Sequence, residues 1–177
     1  DFDLDGTSGS ALLFTGFKMA GFDEVHVYQP DRISEGYGFH AHAVESLKEK
    51  GVSLIVTVDV GITALEATER ANALGVDVII TDHHQPKEIL PQALAVVSPN
   101  QPGDHSGLGY LAGTGVRYYL VMALRVVLNE SGVSVEELDL KSLLDFFVIG
   151  TITDMVPLIG DNRILCKHGL KLLSRTK

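Results

Sequence analysis

The sequence predicts an α/β protein: a parallel β-sheet flanked by helices, followed by a helical part. Three observations predict this. Short runs such as "SLIVTV" and "VDVIIT" carry continuous Leu, Ile and Val at their centres rather than alternating, as strands covered on both faces do. Each run ends in polar residues. Between the runs lie helical patterns that stop at glycine, and strands alternating with helices indicate a parallel sheet.

Taken in order, "TSGSALLFTGFKMAG" reads as a helix entered through the capping residues Thr7 and Ser8 and closed by Gly21. "EVHVYQ" (24–29) alternates as a strand does. "GFHAHAVESLKEKG" is a helix that stops at Gly51. "SLIVTVD" is a buried strand ending in Asp59, and "TALEATERANALG" a helix stopping at Gly75. "VDVIITDHH" and the shorter "ALAVVSP" complete the strands. Residues 98–112 read as loop, and three helices follow: "GTGVRYYLVMALRVVLNESG", "SVEELDLKSLLDFFVIGTI" and "DNRILCKHGLKLLSRTK". The last has no stop signal, as expected of a linker helix cut short.

A chain of 177 residues that is 45% hydrophobic can bury a real core. Its net charge of −9 excludes holding nucleic acid by charge alone, since phosphate binding leaves a basic footprint. A phosphate substrate held through metal ions remains compatible, because the ions supply the positive charge. The single cysteine, Cys166, excludes a disulfide framework or a cysteine-rich zinc site within one chain, and fits a cytoplasmic setting. Apolar runs fall short of the ~18 residues of a membrane helix, so no membrane partner is expected. "DFDLDG" opens the chain where a hydrophobic strand is expected to precede it, which suggests a piece of a longer protein.

The chemistry-bearing residues gather at predicted strand ends, where ligands bind in open parallel sheets. Asp1, Asp3 and Asp5 fall on alternate positions, one face if the segment is extended. Asp59 ends one strand, and Asp82, His83 and His84 end another. Asp154 follows "LLDFFVIGTIT". Oxygen donors with some imidazole and no thiolate suit manganese or magnesium better than structural zinc. So many carboxylates suggest two ions. Each part has a plainer reading: Asp59 as a helix cap, and the His pair as packing. Arg32 is the candidate phosphate grip through its guanidinium fork, or else a surface partner of Glu35. Gly36 and Gly38 allow close approach of backbone amides, and "AGTGV", with Gly113 and Gly115, opens a helix whose amides suit an anion or permit tight packing. Tyr37 is a candidate for base stacking, and so is Phe39 unless it packs in the core.

"DFDLDG", "TVDVGI", "TDHH" and "GTITDMVPLIGDNR", in that order, resemble the DHH phosphoesterase superfamily. "DRISEGYGFH", "SPNQPGD" and "LAGTGVRYYL" narrow the resemblance to its RecJ-type branch of 5′→3′ single-stranded-DNA exonucleases. The resemblance spans essentially the whole chain. It implies a DHH catalytic domain over 1–160 and the start of a linker helix over 161–177. It implies two Mn²⁺ or Mg²⁺ ions held by Asp3, Asp5, Asp59, His83 and Asp154, with Asp59 bridging. Asp1 and Asp82 would orient these ligands, and His84 would face the scissile phosphate as a donor or proton carrier, or else bind metal. It also implies release of nucleotide monophosphates in DNA repair and recombination, and single-stranded-DNA-binding protein or a helicase as partners of a full-length protein. Position 60 is Val where many relatives have Asn, a departure that bears on substrate positioning. Two other readings stay open: a small-nucleotide phosphoesterase, and an inactive scaffold that has lost ligands.

Overall fold

The computed structural model describes residues 2–174. The chain divides into two compact units. One comprises Phe2 with Pro30–Gly109, and the other Asp3–Gln29 with residues 110–174.

The first unit holds a three-stranded parallel sheet, β1 (Leu54–Val56), β2 (Asp77–Thr81) and β3 (Ala95–Val97), in the order β1-β2-β3. Leu54 pairs with Asp77, and Ile79 with Ala95. Helices α2 (Ala41–Glu49) and α3 (Leu65–Ala73) belong to this unit. Val44, Ile55, Ala67, Ala71, Val76, Val78 and Ile80 form its core. This is the expected consequence of apolar strands feeding helices that turn an alanine-rich face inward. The ladder runs past the regular strands, with the Thr57 amide donating to Ile79 (2.9 Å) and the Asp59 amide to Thr81 (3.1 Å).

The second unit is helical: α1 (Leu4–Met19), α4 (Gly113–Glu130), α5 (Leu144–Thr153) and α6 (Gly160–Leu173). Here α1 packs on α4 and α5, and α6 packs on α5. Gly16 brings α1 against Val121 of α4, where an added Cβ would lie 3.0 Å from a Val121 methyl. Tyr118 meets Phe147 edge to face, ring centroids 5.5 Å apart.

Three expectations are corrected. Helix α1 starts at Leu4 rather than Thr7, because Asp3 caps it by accepting the Gly6 amide (2.8 Å). Residues 24–29 form no strand: alternation alone gives a segment no ladder partner, and Val27 is exposed. The helix expected from Ser134 begins later, as a 3₁₀ turn over Leu140–Leu143 running into α5. Asp139 caps that turn by accepting the Lys141 amide (3.0 Å). No helix of the described residues is long and apolar enough to cross a membrane.

Candidate metal centre

In the first unit, β1 leads into a turn that places Asp59 beside the end of β2. Asp59 is 2% exposed and has φ 63°, a left-handed conformation uncommon for any residue but glycine. Thr57 builds the turn. Its hydroxyl donates to the Val60 carbonyl (2.7 Å) and accepts the Thr81 amide (3.2 Å). The Thr81 hydroxyl in turn donates to the Thr57 carbonyl (2.5 Å). Gly61 completes it at φ 114°, where a Cβ would sit 2.8 Å from the Thr57 hydroxyl oxygen.

Asp82 joins this turn to the histidines. One carboxylate oxygen accepts the Ile62 amide (2.9 Å); the other accepts the amides of His83 (2.8 Å) and His84 (3.1 Å) and the His84 Nδ1–H (2.7 Å). Burial pushes the Asp82 carboxyl up, but the bonds from His84 and the Ile62 amide, with the charge of His84, outweigh it and hold it down at about 2. With Nδ1 committed to Asp82, any ligation or proton transfer by His84 runs through Nε2. The His83 Nε2 lies 3.3 Å from an Asp59 oxygen. Asn100 fixes the other side of the loop by donating to the His83 carbonyl (2.5 Å). Asp59, His83 and His84 each present a ligand atom within 4.8 Å of the others. One buried carboxylate and two imidazoles, with no thiolate, make a donor set for a divalent transition-metal ion.

In the second unit, Asp5 lies in the first turn of α1 and is 2% exposed. Asp3 and Asp5 therefore do not share one extended face, since Asp3 is the cap and Asp5 is helical; Asp1 lies outside the described residues. Asp154 is the C-cap of α5. A carboxylate oxygen of Asp5 and one of Asp154 lie within 4.8 Å of each other. Like charges held that close repel unless a cation or a proton lies with them. The arrangement therefore also fits a divalent ion.

The expected phosphate contacts divide. Arg32 sits in an exposed turn set by Asp31, whose carboxylate accepts the amides of Ile33 (3.0 Å) and Ser34 (2.9 Å). The bonds from the Ser34 amide and hydroxyl and from the Ile33 amide hold the Asp31 carboxyl below its usual range. The Arg32 guanidinium stands 5.4 Å over the Phe2 ring, and Phe2 lies against Tyr37 at 4.1 Å. Glu35, the alternative partner, instead accepts the Asp31 amide (2.6 Å) and faces His42 Nε2 (2.7 Å). Gly36 (φ 73°) and Gly38 (φ 121°) turn the chain towards α2. Phe39 packs against the core of this unit and also lines a cavity of about 510 Å³ at the starts of α2 and α3, together with His40 and His42. At α4 the anion received by the Gly113 amide is the carboxylate of Asp5 (2.6 Å). Gly115 packs with a notional Cβ 3.2 Å from Leu111. Sequence reasoning missed Thr57, Thr81, Asn100 and Thr114. Their only local signal is a small polar residue beside an apolar run, and their partners are set by the fold.

A parallel sheet whose strand ends carry a buried carboxylate and paired imidazoles defines a class of metal-binding α/β protein. The chain belongs to the DHH family: its residues 1–151 match the family's N-terminal domain. It is 39% identical to the single-stranded-DNA-specific exonuclease RecJ of Salmonella typhimurium, covering 100% of this chain and 31% of that protein. To the Bacillus subtilis protein of the same name it is 45% identical, over 99% of this chain and 21% of that one. The chain thus spans about a fifth to a third of the length of these relatives. Among solved structures, exonuclease RecJ bound to manganese superposes with a TM-score of 0.81 at 37% identity, covering 97% of this chain and 41% of that one. RecJ from Thermus thermophilus in complex with Mn²⁺ superposes at 0.75 with 34% identity, over 97% of this chain and 23% of that one.

Proposed function

We propose that this chain is the catalytic core of a RecJ-like exonuclease that hydrolyses single-stranded DNA from its 5′ end, with two Mn²⁺ ions and release of nucleotide monophosphates. The observation that carries the proposal is the Asp59–His83–His84 group at the carboxyl ends of β1 and β2, in a chain related over its length to proteins of that name. The proposed ligands are Asp3, Asp5, Asp59, His83 and Asp154.

Mn²⁺, when bound, supplies Lewis acidity and a water activated for attack near neutral pH. The protein's own groups do the rest. Asp59 is held in its turn by Thr57, so the ligand is oriented before an ion arrives. Asp82 orients His84 by fixing Nδ1, which assigns to Nε2 the contact with the scissile phosphate or a proton for the leaving oxygen. Arg32 grips the 5′ phosphate, steadied by the Phe2 ring, and Tyr37, itself exposed, receives a base. No protein nucleophile is required. The proposal extends to a cytoplasmic setting, which the single cysteine fits, and to single-stranded-DNA-binding protein or a helicase as partners of a longer chain, which rest on family resemblance.

The test is digestion of 5′-phosphorylated single-stranded and duplex oligonucleotides with Mn²⁺, beside calorimetric titration of the ion. Two bound ions and loss of 5′ mononucleotides from the single strand support the proposal. Faster turnover of a dinucleotide than of a long strand would instead favour a small-nucleotide phosphoesterase. Absence of ion binding would favour a scaffold.

A further inference from the structure

Helix α4 begins at Gly113, and the residue in its N-cap position, Ala112, has no side chain able to cap it, so its first amides need an acceptor from elsewhere. The acceptor is Asp5, which lies 108 residues earlier in the chain. Its Oδ2 accepts the Gly113 amide at 2.6 Å. Its Oδ1 accepts both the Thr114 amide (2.8 Å) and the Thr114 hydroxyl (2.5 Å). The same hydroxyl also lies 3.0 Å from the Asp5 carbonyl oxygen, within reach of both ends of the residue. Thr114 is fully buried and Asp5 nearly so. Gly150 of α5 closes the remaining side: a Cβ there would stand 2.6 Å from Asp5 Oδ1 and 2.7 Å from the Thr114 Cβ.

The two amides belong to the backbone and would be present with any residue at position 114 except proline. The hydroxyl is what the choice of threonine adds. Three donors from one helix start, in a space with no room for an extra methyl, leave the carboxylate a single orientation. Loss of a partner that orients a ligating carboxylate typically costs about 10–100-fold in metal affinity.

We infer that Thr114 is a positioning residue for the metal centre: its hydroxyl fixes the Asp5 carboxylate in the orientation that receives the divalent cation. The inference rests on the proposal that Asp5 is a metal ligand, and the test separates the two. Mn²⁺ affinity is measured on the full chain by the electron paramagnetic resonance signal of the unbound ion, with the thermal midpoint of the metal-free protein read alongside. Thr114→Val keeps the shape and removes the hydroxyl. It is expected to weaken Mn²⁺ binding ~10–100-fold, and Thr114→Ser is expected to restore most of the loss. Should Thr114→Val not fold, Thr114→Ala takes its place in the same comparison. Wild-type affinity in the hydroxyl-free variant, together with lost binding in Asp5→Asn, overturns the inference alone. So does a weakened variant that serine does not rescue, because the effect is then packing. Wild-type affinity in Asp5→Asn, or no binding by the wild-type chain, overturns the ligand reading and the inference with it.

Discussion

The two units present their metal-binding candidates by opposite means, and both place backbone strain beside them. In the sheet unit the ligand is itself the strained residue: Asp59 adopts φ 63° in a turn between a strand and a helix. In the helical unit the strain is displaced by one residue, onto Met155 at φ 57°, directly after Asp154. These are the non-glycine residues with positive φ among the described residues, and each such conformation costs about 1–3 kcal/mol. The sheet unit holds the backbone of the Asp59 turn by threonine hydroxyls. The helical unit holds Asp5 on the start of a long helix. The comparison teaches that the strained residue need not be the ligand: the Asp59 turn strains the ligand itself, and the end of α5 strains the residue after it.

The largest effect separates ligand from strain. Asp59→Ala and Asp59→Gly both remove the carboxylate, and each is expected to lower Mn²⁺ affinity more than about 100-fold, since loss of an outer partner alone costs 10–100-fold. Glycine also relieves the left-handed backbone, so the metal-free Asp59→Gly protein is expected to be more stable than Asp59→Ala by about 1 kcal/mol. Calorimetric titration and urea unfolding read the two effects separately. Equal stability of the two variants would remove strain from the account of this turn.

Gly150→Ala probes the helical unit in the same way. Its methyl would collide with Asp5 Oδ1 and Thr114, so a cost of about 1–3 kcal/mol is expected, the usual range for overpacking. Weaker Mn²⁺ binding should accompany it. A stable variant with unchanged affinity would mean that the Asp5 latch is loose.

How much of this was legible in the sequence differs between the units for a physical reason. Apolar runs ending in Asp59 and in Asp82–His83–His84 gave both the strands and their functional ends, because a parallel strand's burial and its ligand edge are read from one continuous segment. The helical unit was harder to read. Alternate aspartates suggested an extended face, but Asp3 is a strong cap and wound the segment into α1. Gly113 looked like a site for an external anion, and the structure gives its amide to Asp5. Contacts between residues so far apart in the chain leave no periodicity to find. Asn100 escaped for the same reason: its partner is a backbone carbonyl, which no sequence pattern marks.

Acid stability tests the sheet unit's electrostatics. Asp82 sits at about 2 against an ordinary 3.8, so its folded form prefers the carboxylate. A lowered folded value contributes stability that is fully present above the ordinary value and is lost as pH falls through the folded one. The contribution is about 2 kcal/mol at neutral pH and fades between about pH 4 and pH 2. Asp82→Asn removes the titration, so its stability deficit relative to wild type should shrink over that interval. Denaturant midpoints at pH 6 and pH 2.5, in metal-free buffer, check this. A deficit independent of pH would show that the carboxylate's charge is not what binds the turn to the histidine loop.

The smallest expected effect lies next to Asp154. Met155 follows the last turn of α5, with its amide donating to the Ile152 carbonyl (3.2 Å), and its side chain is 87% exposed. It occupies the left-handed position after a helix that glycine most often takes. The exposed side chain buries little, so Met155→Gly forfeits little packing and relieves the conformation. A gain of about 0.5–1 kcal/mol is expected, partly offset by the greater freedom of glycine in the unfolded chain. If the strain serves only to end the helix, Mn²⁺ affinity stays at the wild-type value. If it aims Asp154, affinity falls while stability rises. The second outcome would make the two units alike after all, each using a left-handed residue to point a carboxylate, and the contrast between them would reduce to whether that residue is the ligand or its neighbour.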